Sequence, residues 1–255
     1  MSRYVPLPPA RMRNMLVLVP LLGTTIAVAT ACTATADPSD SASPTAAPTT
    51  AAAAVDPTGS PSPSASTQAT IPTSAFVELP SELRKSPRRA TGVEEALPKL
   101  CANEFGTGGR QVTASAAMTG TYKKAGDNEG NTPQGMIHQT IFTFDDDGAT
   151  AYLARVRTAV GSCPSYTQLE NSTTVKSQNL PGVGDEALLV TRTWPYANLN
   201  GTRTGGNGSS QIAVVRVGNA VTVFNDQGWE GSSGNPTILD RVVRDGAKTL
   251  DAWQR

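Results

Sequence analysis

The chain has 255 residues, with 21 Lys and Arg against 21 Asp and Glu, so it carries no net field to draw in nucleic acid or an anionic surface. Aromatic residues make up 5% and there is one histidine, His138, which leaves little for a large hydrophobic machine or for His-based catalysis. The length suits one domain of ordinary size plus accessory segments.

The first segment sets the compartment. Arg3, Arg11 and Arg13 precede a short apolar run over 15–32, which closes on Ala29-Thr30-Ala31 and then Cys32. Basic, apolar and then small is the order of a secretory signal. Pro20 and Gly23 interrupt the run, and it falls short of the roughly 20 residues a membrane span needs. A cysteine just after the small residues is where bacterial lipoproteins are cleaved and acylated, so Cys32 is the expected site of a lipid (palmitate-type) anchor. Ala29-Thr30-Ala31 and Ala34-Thr35-Ala36 also fit ordinary signal cleavage, which would give a secreted form.

Residues 32–72 read as the anchor cysteine and a disordered linker of Ala, Ser, Thr, Pro and Gly, with no Lys or Arg between Arg13 and Arg84. It has almost nothing to bury against an ordering cost of about 1–2 kcal/mol per residue. Fully extended it would reach on the order of 120 Å, enough to lift a domain off a membrane.

The folded domain is expected over 73–255, where Phe76, Val77, Leu79 and Leu83 restore apolar content. Arg84, Lys85, Arg88 and Arg89 form a local basic cluster that reads as a solvated face. Thr91-Gly92-Val93-Glu94 has the form of a capping box opening a short helix toward Cys101, with Pro98 limiting its length. Alternation predicts strands over 111–122 and 135–144. Asp147 is the expected cap of a helix over 148–160, with Ala149, Tyr152, Leu153, Val156 and Val160 at helical spacing. Further strands are expected over 173–177, 188–194, 211–217 and 220–225, with a loop over 198–210 and a hairpin turn at Gly218-Asn219. Asn235-Pro236 is an N-cap and N1 pair opening a last helix to about Trp253. Strands in the middle with flanking helices define an α+β domain with a mainly antiparallel sheet.

Of the three cysteines, Cys101 and Cys163 make the even pair expected to form one disulfide in an exported protein, leaving Cys32 for lipid.

Leu180-Pro181-Gly182-Val183-Gly184-Asp185-Glu186-Ala187 resembles the LPG-x-GDEA segment of actinobacterial exported sensor domains. These are typified by the extracellular domain of PknH-type receptor kinases, and many stand alone as lipoproteins. Val215-Arg216-Val217-Gly218-Asn219-Ala220-Val221 resembles that family's V-R-x-G-N-x-V hairpin, and the Ala-rich helix running into Cys163 resembles its counterpart. The resemblance spans about 76–255. It implies a wall-side module with a cleft for an unidentified small-molecule, glycan or protein ligand. Two departures stand out: the kinase type commonly has two disulfides where this domain has cysteines for one, and no kinase signature is present.

Catalytic and metal motifs fail on inspection. With His138 alone and no free cysteine expected, Ser-His, Cys-His and His-rich zinc sites lack their parts. Asp145-Asp146-Asp147-Gly148 lacks the alternating oxygens of an EF-hand and reads as a turn. Gly182-x-Gly184-x-x-Ala187 opens a strand, so it is no dinucleotide fingerprint. Asp185 and Glu186 are adjacent and point to opposite faces of a strand, with backbone amides or an arginine such as Arg192 as expected partners. Carboxylates at Glu104, Asp127 and Glu230 cannot be paired from sequence. No cofactor, metal or nucleic acid is expected. Arg192, Trp194, Tyr196 and Trp229 flank polar loops and are the candidate ligand-binding residues of a monomeric, non-catalytic domain. The competing classes are a wall-active hydrolase, which needs two inward carboxylates, and a structural envelope protein, which needs no cleft.

Overall fold

The computed structural model describes residues 70–255 apart from 111, 129, 169, 170 and 199. The signal, Cys32 and nearly all of the expected linker lie outside the described residues. A 3-10 turn at Thr73–Ala75 leads to β1 (Arg84–Lys85), β2 (Arg89–Thr91) and α1 (Val93–Ala96). The hairpin β3 (Val112–Lys123) and β4 (Gly135–Phe144) follows, then α2 (Gly148–Gly161). β5 (Ser165–Gln168), β6 (Asn171–Asn179), β7 (Glu186–Ala197), β8 (Arg203–Val217) and β9 (Ala220–Gly228) form a meander. A short 3-10 turn at Trp229–Gly231 precedes α3 (Pro236–Gln254).

The nine strands form one sheet in the order β1-β3-β4-β9-β8-β7-β6-β5, with β2 also on β3, and the strand pairings are antiparallel. After β4 the chain crosses one face as α2, enters the far edge as β5, and winds back until β9 lies beside β4. Because α3 then covers the opposite face, the centre of the sheet is dry on both sides. β4 shows the result. Its Ile137 and Ile141 pack toward α3 with Phe224, Leu239 and Val243. Its Phe142 and Phe144 pack toward α2 with Tyr152, Leu153 and Val156. Such double burial is unusual for an antiparallel strand, where one face commonly meets water.

α3 follows from its sequence. The Asn235 side chain accepts the Ile238 N–H at 3.2 Å, Pro236 occupies the first turn, and Leu239, Val242, Val243, Ala247 and Leu250 make one buried stripe. Gly246 sits in that stripe because the helix rides directly on Phe224: a Cβ there would lie 2.5 Å from Phe224 Cζ. In an exposed helix Gly→Ala gains about 1 kcal/mol. Here Gly246→Ala is expected to cost roughly 1–3 kcal/mol from overpacking, read as a lower urea midpoint with an unchanged slope.

Both expected caps of the other helices are replaced by different contacts. The N-cap of α1 is Gly92 with no side-chain bond, and Thr91 Oγ1 turns instead to Thr119 Oγ1 at 2.7 Å. Asp147 makes no side-chain cap on α2. The chain turns there through Asp146 in the left-handed region (φ 47) and a Gly148 N–H bond to the Asp145 carbonyl at 2.9 Å. The basic cluster is also partly committed, since Arg88 donates to the Phe76 and Val77 carbonyls and pairs with Glu78. Among the described residues no helix is long and apolar enough to cross a membrane.

Cys101 and Cys163 form a disulfide with Cα atoms 5.9 Å apart, tying the segment before β3 to the end of α2. The same corner holds the buried Glu104, whose carboxylate accepts the N–H groups of Leu100, Cys101 and Ala102 at 3.3, 3.0 and 2.7 Å.

Candidate functional site

On the α2 face the even positions of β7 run Leu188, Val190, Arg192, Trp194 and Tyr196. Leu188 and Val190 belong to the apolar core under α2. One step further the same face turns polar, with Arg192 opposite Ser210 in the register of β7 and β8. A cleft of about 330 Å³ opens here, its walls including Tyr166, Thr173, Arg192, Trp194, Ser210 and Ser232. Gln168, Asn171 and Gln227 line it as well.

Arg192 is its deepest charged group, with 8% of its surface exposed. Nη2 donates to Asn225 Oδ1 at 3.0 Å and to the Asp226 carbonyl at 3.1 Å. Burial lowers its pKa, partly countered by Tyr166 and Asp226. The buried polar atoms without a hydrogen-bond partner among the described residues are Thr140 Oγ1, Arg155 Nε, Arg192 Nε and Arg216 Nε. Arg192 alone among those residues lines this cleft.

Asp226 stands behind the arginine. Its carbonyl holds Arg192, while its fully buried carboxylate accepts the Asn235 N–H at 2.7 Å and the Tyr122 hydroxyl at 3.4 Å. Desolvation pushes its pKa up to about 6, against the lowering effect of those hydrogen bonds and of Arg192. Burial and the neighbouring Asp226 in turn raise the Tyr122 pKa. One residue therefore braces the guanidinium with its backbone and the 228–235 loop with its side chain.

Aromatic residues lie against glycines of β8. Trp194 is paired with Gly208, where a Cβ would lie 2.5 Å from the indole Nε1, so only glycine lets the ring rest there. Tyr196 lies over Gly206 and its hydroxyl meets Ser233 Oγ at 2.7 Å. Of the four residues expected to bind ligand, Arg192 and Trp194 share the cleft. Tyr196 and Trp229 line an adjoining depression of about 580 Å³ with Lys124, Asp127 and Glu230, and Ser232 borders both. Glu230 holds left-handed backbone (φ 49) on that rim.

Other motifs are absorbed structurally. His138 is 8% exposed on β4, its Nδ1 2.8 Å from Thr119 Oγ1, and burial lowers its pKa. Asp185 pairs with Arg216 at 3.1 Å and accepts the Gly218 N–H at 2.8 Å, while Glu186 pairs with Arg157 at 2.7 Å. The expected amide partner is present, but Arg192 is not the arginine, because it points to the cleft instead. Among the described residues the one metal-like grouping is Cys101, Glu104 and Cys163. Its sulfurs are bonded to each other and its carboxylate is occupied by backbone amides, so it offers no ligand set.

Sequence reading missed Tyr166, Asn225 and Asp226. Tyr166 sits on a polar edge strand without alternation, but Asn225-Asp226 left a trace: two residues depleted in strands directly follow the strand-favouring run Val221–Phe224.

Fold and site define a disulfide-tied α+β domain, an antiparallel sheet between two helices with an open polar cleft on one face. No protein-family model matches the chain, and no curated protein matches it. Among solved structures it is similar to the crystal structure of the extracellular domain of PknH from Mycobacterium tuberculosis, at 14% sequence identity and a TM-score of 0.44, over 68% of this chain and 86% of that one.

Proposed function

We propose that this is an exported cell-envelope domain, lipid-anchored through Cys32, that binds a ligand in the Arg192–Trp194 cleft without transforming it, in the manner of a sensor. The observation that carries the reading is the composition of the cleft: one buried cation, aromatic side chains, and otherwise neutral amides and hydroxyls. Such a lining can orient and hold a molecule, and among the described residues it offers no carboxylate, imidazole or thiol to move a proton or attack a bond. The signal-like N-terminus and the disulfide support an oxidising, extracytoplasmic location. The Leu180–Ala187 and Val215–Val221 motifs support the sensor-domain resemblance.

The test is retention of soluble cell-wall fragments by the full chain, with mass spectrometry of what is retained and what is left. Ser232 is exposed at the rim, so Ser232→Trp fills the mouth without entering the core. Fragments retained by the wild type and lost with Ser232→Trp, their masses unchanged, are the expected result. Equal retention by both proteins would overturn cleft binding. Shortened fragments would favour the hydrolase reading, for which Asp127 and Glu230 on the adjoining rim are the available carboxylates. The anchor has its own check: a membrane-bound species starting at Cys32 with acyl mass added is expected, and an unacylated chain in the medium starting at Cys32 or Asp37 would overturn it.

A further inference from the structure

We infer that the cleft recognises a saccharide carrying one anionic group, a carboxylate or a phosphate, with Arg192 taking the anion and Trp194 supporting the sugar ring. This rests on the binding reading of the same cleft and names the ligand class.

The anion follows from the state of Arg192. The guanidinium is more than nine-tenths buried; its Nη2 donates to two uncharged acceptors, the Asn225 amide oxygen and the Asp226 carbonyl, with the Tyr166 hydroxyl beside it and the Asp226 carboxylate attracting it from behind. Its Nε has no partner, and no carboxylate lies at ion-pair distance from it among the described residues. A buried charge without a contacting counter-charge is costly. The oxygens of a carboxylate or a phosphate can accept from the N–H groups that Asn225 and Asp226 leave free, and the negative charge would offset that cost. Among the described residues Arg192 is the one charged side chain in the lining, which suits a ligand with a single anionic group.

The sugar follows from the rest of the wall. Trp194 is half-buried against Gly208, fixed in place by its neighbours and suited to the apolar C–H face of a pyranose. Gln168, Asn171 and Gln227 each offer a donor and an acceptor, as do ring hydroxyls. A volume of about 330 Å³ lies at the small end of ligand sites, suited to one or two sugar units.

The test is calorimetric titration of the full chain with glucuronate, glucose 6-phosphate, glucose and inorganic phosphate. At least one acidic sugar is expected to bind tenfold or more tightly than glucose, and which one binds identifies the anion. Arg192→Met should remove that preference. Trp194→Ala should weaken the acidic sugar tenfold and leave inorganic phosphate unchanged. Should Arg192→Met fail to fold, Gln227→Glu places a carboxylate on the cleft wall and is expected to weaken the acidic sugar at least tenfold more than it weakens glucose. Glucose binding as tightly as the acids, with Gln227→Glu without effect, would overturn the anion and leave cleft binding standing. No binding by any probe, while wall-fragment retention stays sensitive to Ser232→Trp, would overturn the acidic-sugar class alone. Loss of that retention as well would overturn both readings.

Discussion

Replacing Cys101 and Cys163 together by serine is expected to lower the unfolding free energy by about 4 kcal/mol. The cross-link closes a loop with a sequence separation of 62, and the chain-entropy relation gives about that value for such a loop. The loop holds α2 and the β3–β4 hairpin, so its release enlarges the unfolded ensemble across about a third of residues 70–255. Urea unfolding of oxidised wild type against the double variant measures it. A loss under 1 kcal/mol would mean that the Glu104 carboxylate, with its three backbone N–H donors, already holds this corner closed.

The second large effect is a pH dependence set by Asp226. Its pKa is about 6 in the folded chain against an ordinary 3.8, so the folded state takes up the proton first. Stability from this group is fully present below about 3.8 and is lost as pH rises through 6. Two pKa units correspond to about 3 kcal/mol. His138 acts in the opposite direction: its lowered pKa favours the neutral ring, so it costs stability as pH falls below 6.5. The comparison with Asp226→Asn isolates the carboxyl group. Between pH 7.5 and 3.5 wild type should gain about 3 kcal/mol relative to the variant, followed by urea unfolding at each pH. A pH-independent difference would refute the assignment. Because the carboxylate holds the Asn235 N–H at the end of the cleft-bordering loop, ligand affinity measured over the same range should shift with it.

How much of this could be read from residues alone depended on how local the cause was. α3 was legible because the Asn235-Pro236 start and an apolar stripe at helical spacing agree on it. The span of β4 was equally clear from its alternation, though its burial on both faces was not, since that depends on where α2 and α3 come to rest. The first half of β8 reads as a loop, with its run of Gly, Asn, Ser and Thr. It is a strand because β7 pairs with it and Trp194 and Tyr196 cover its glycines. β5 is short, polar and largely exposed, so nothing in its pattern announces a strand. Thr91 shows the same limit at one side chain: a local capping signal lost to a partner on β3. In the site, Arg192 and Trp194 stood out as large residues beside polar loops. Their bracing by Asn225 and Asp226 is a contact between strands and leaves little local trace.

The position of β9 has a consequence for how the domain must be made. It is the last strand of the chain, yet it lies in the middle of the sheet between β4 and β8. Until it arrives, β4 offers an open edge whose two faces carry Ile137, Ile141, Phe142 and Phe144, a template for pairing with the wrong chain. Its pairing with β4 also closes a long stretch of chain, which makes folding slow for the domain's size. During synthesis an N-terminal portion emerging first therefore has no productive way to complete its core. Truncations that remove β9 and α3 should aggregate rather than yield a smaller domain, and assembly depends on delivering nearly all of residues 70–255 before the sheet can join.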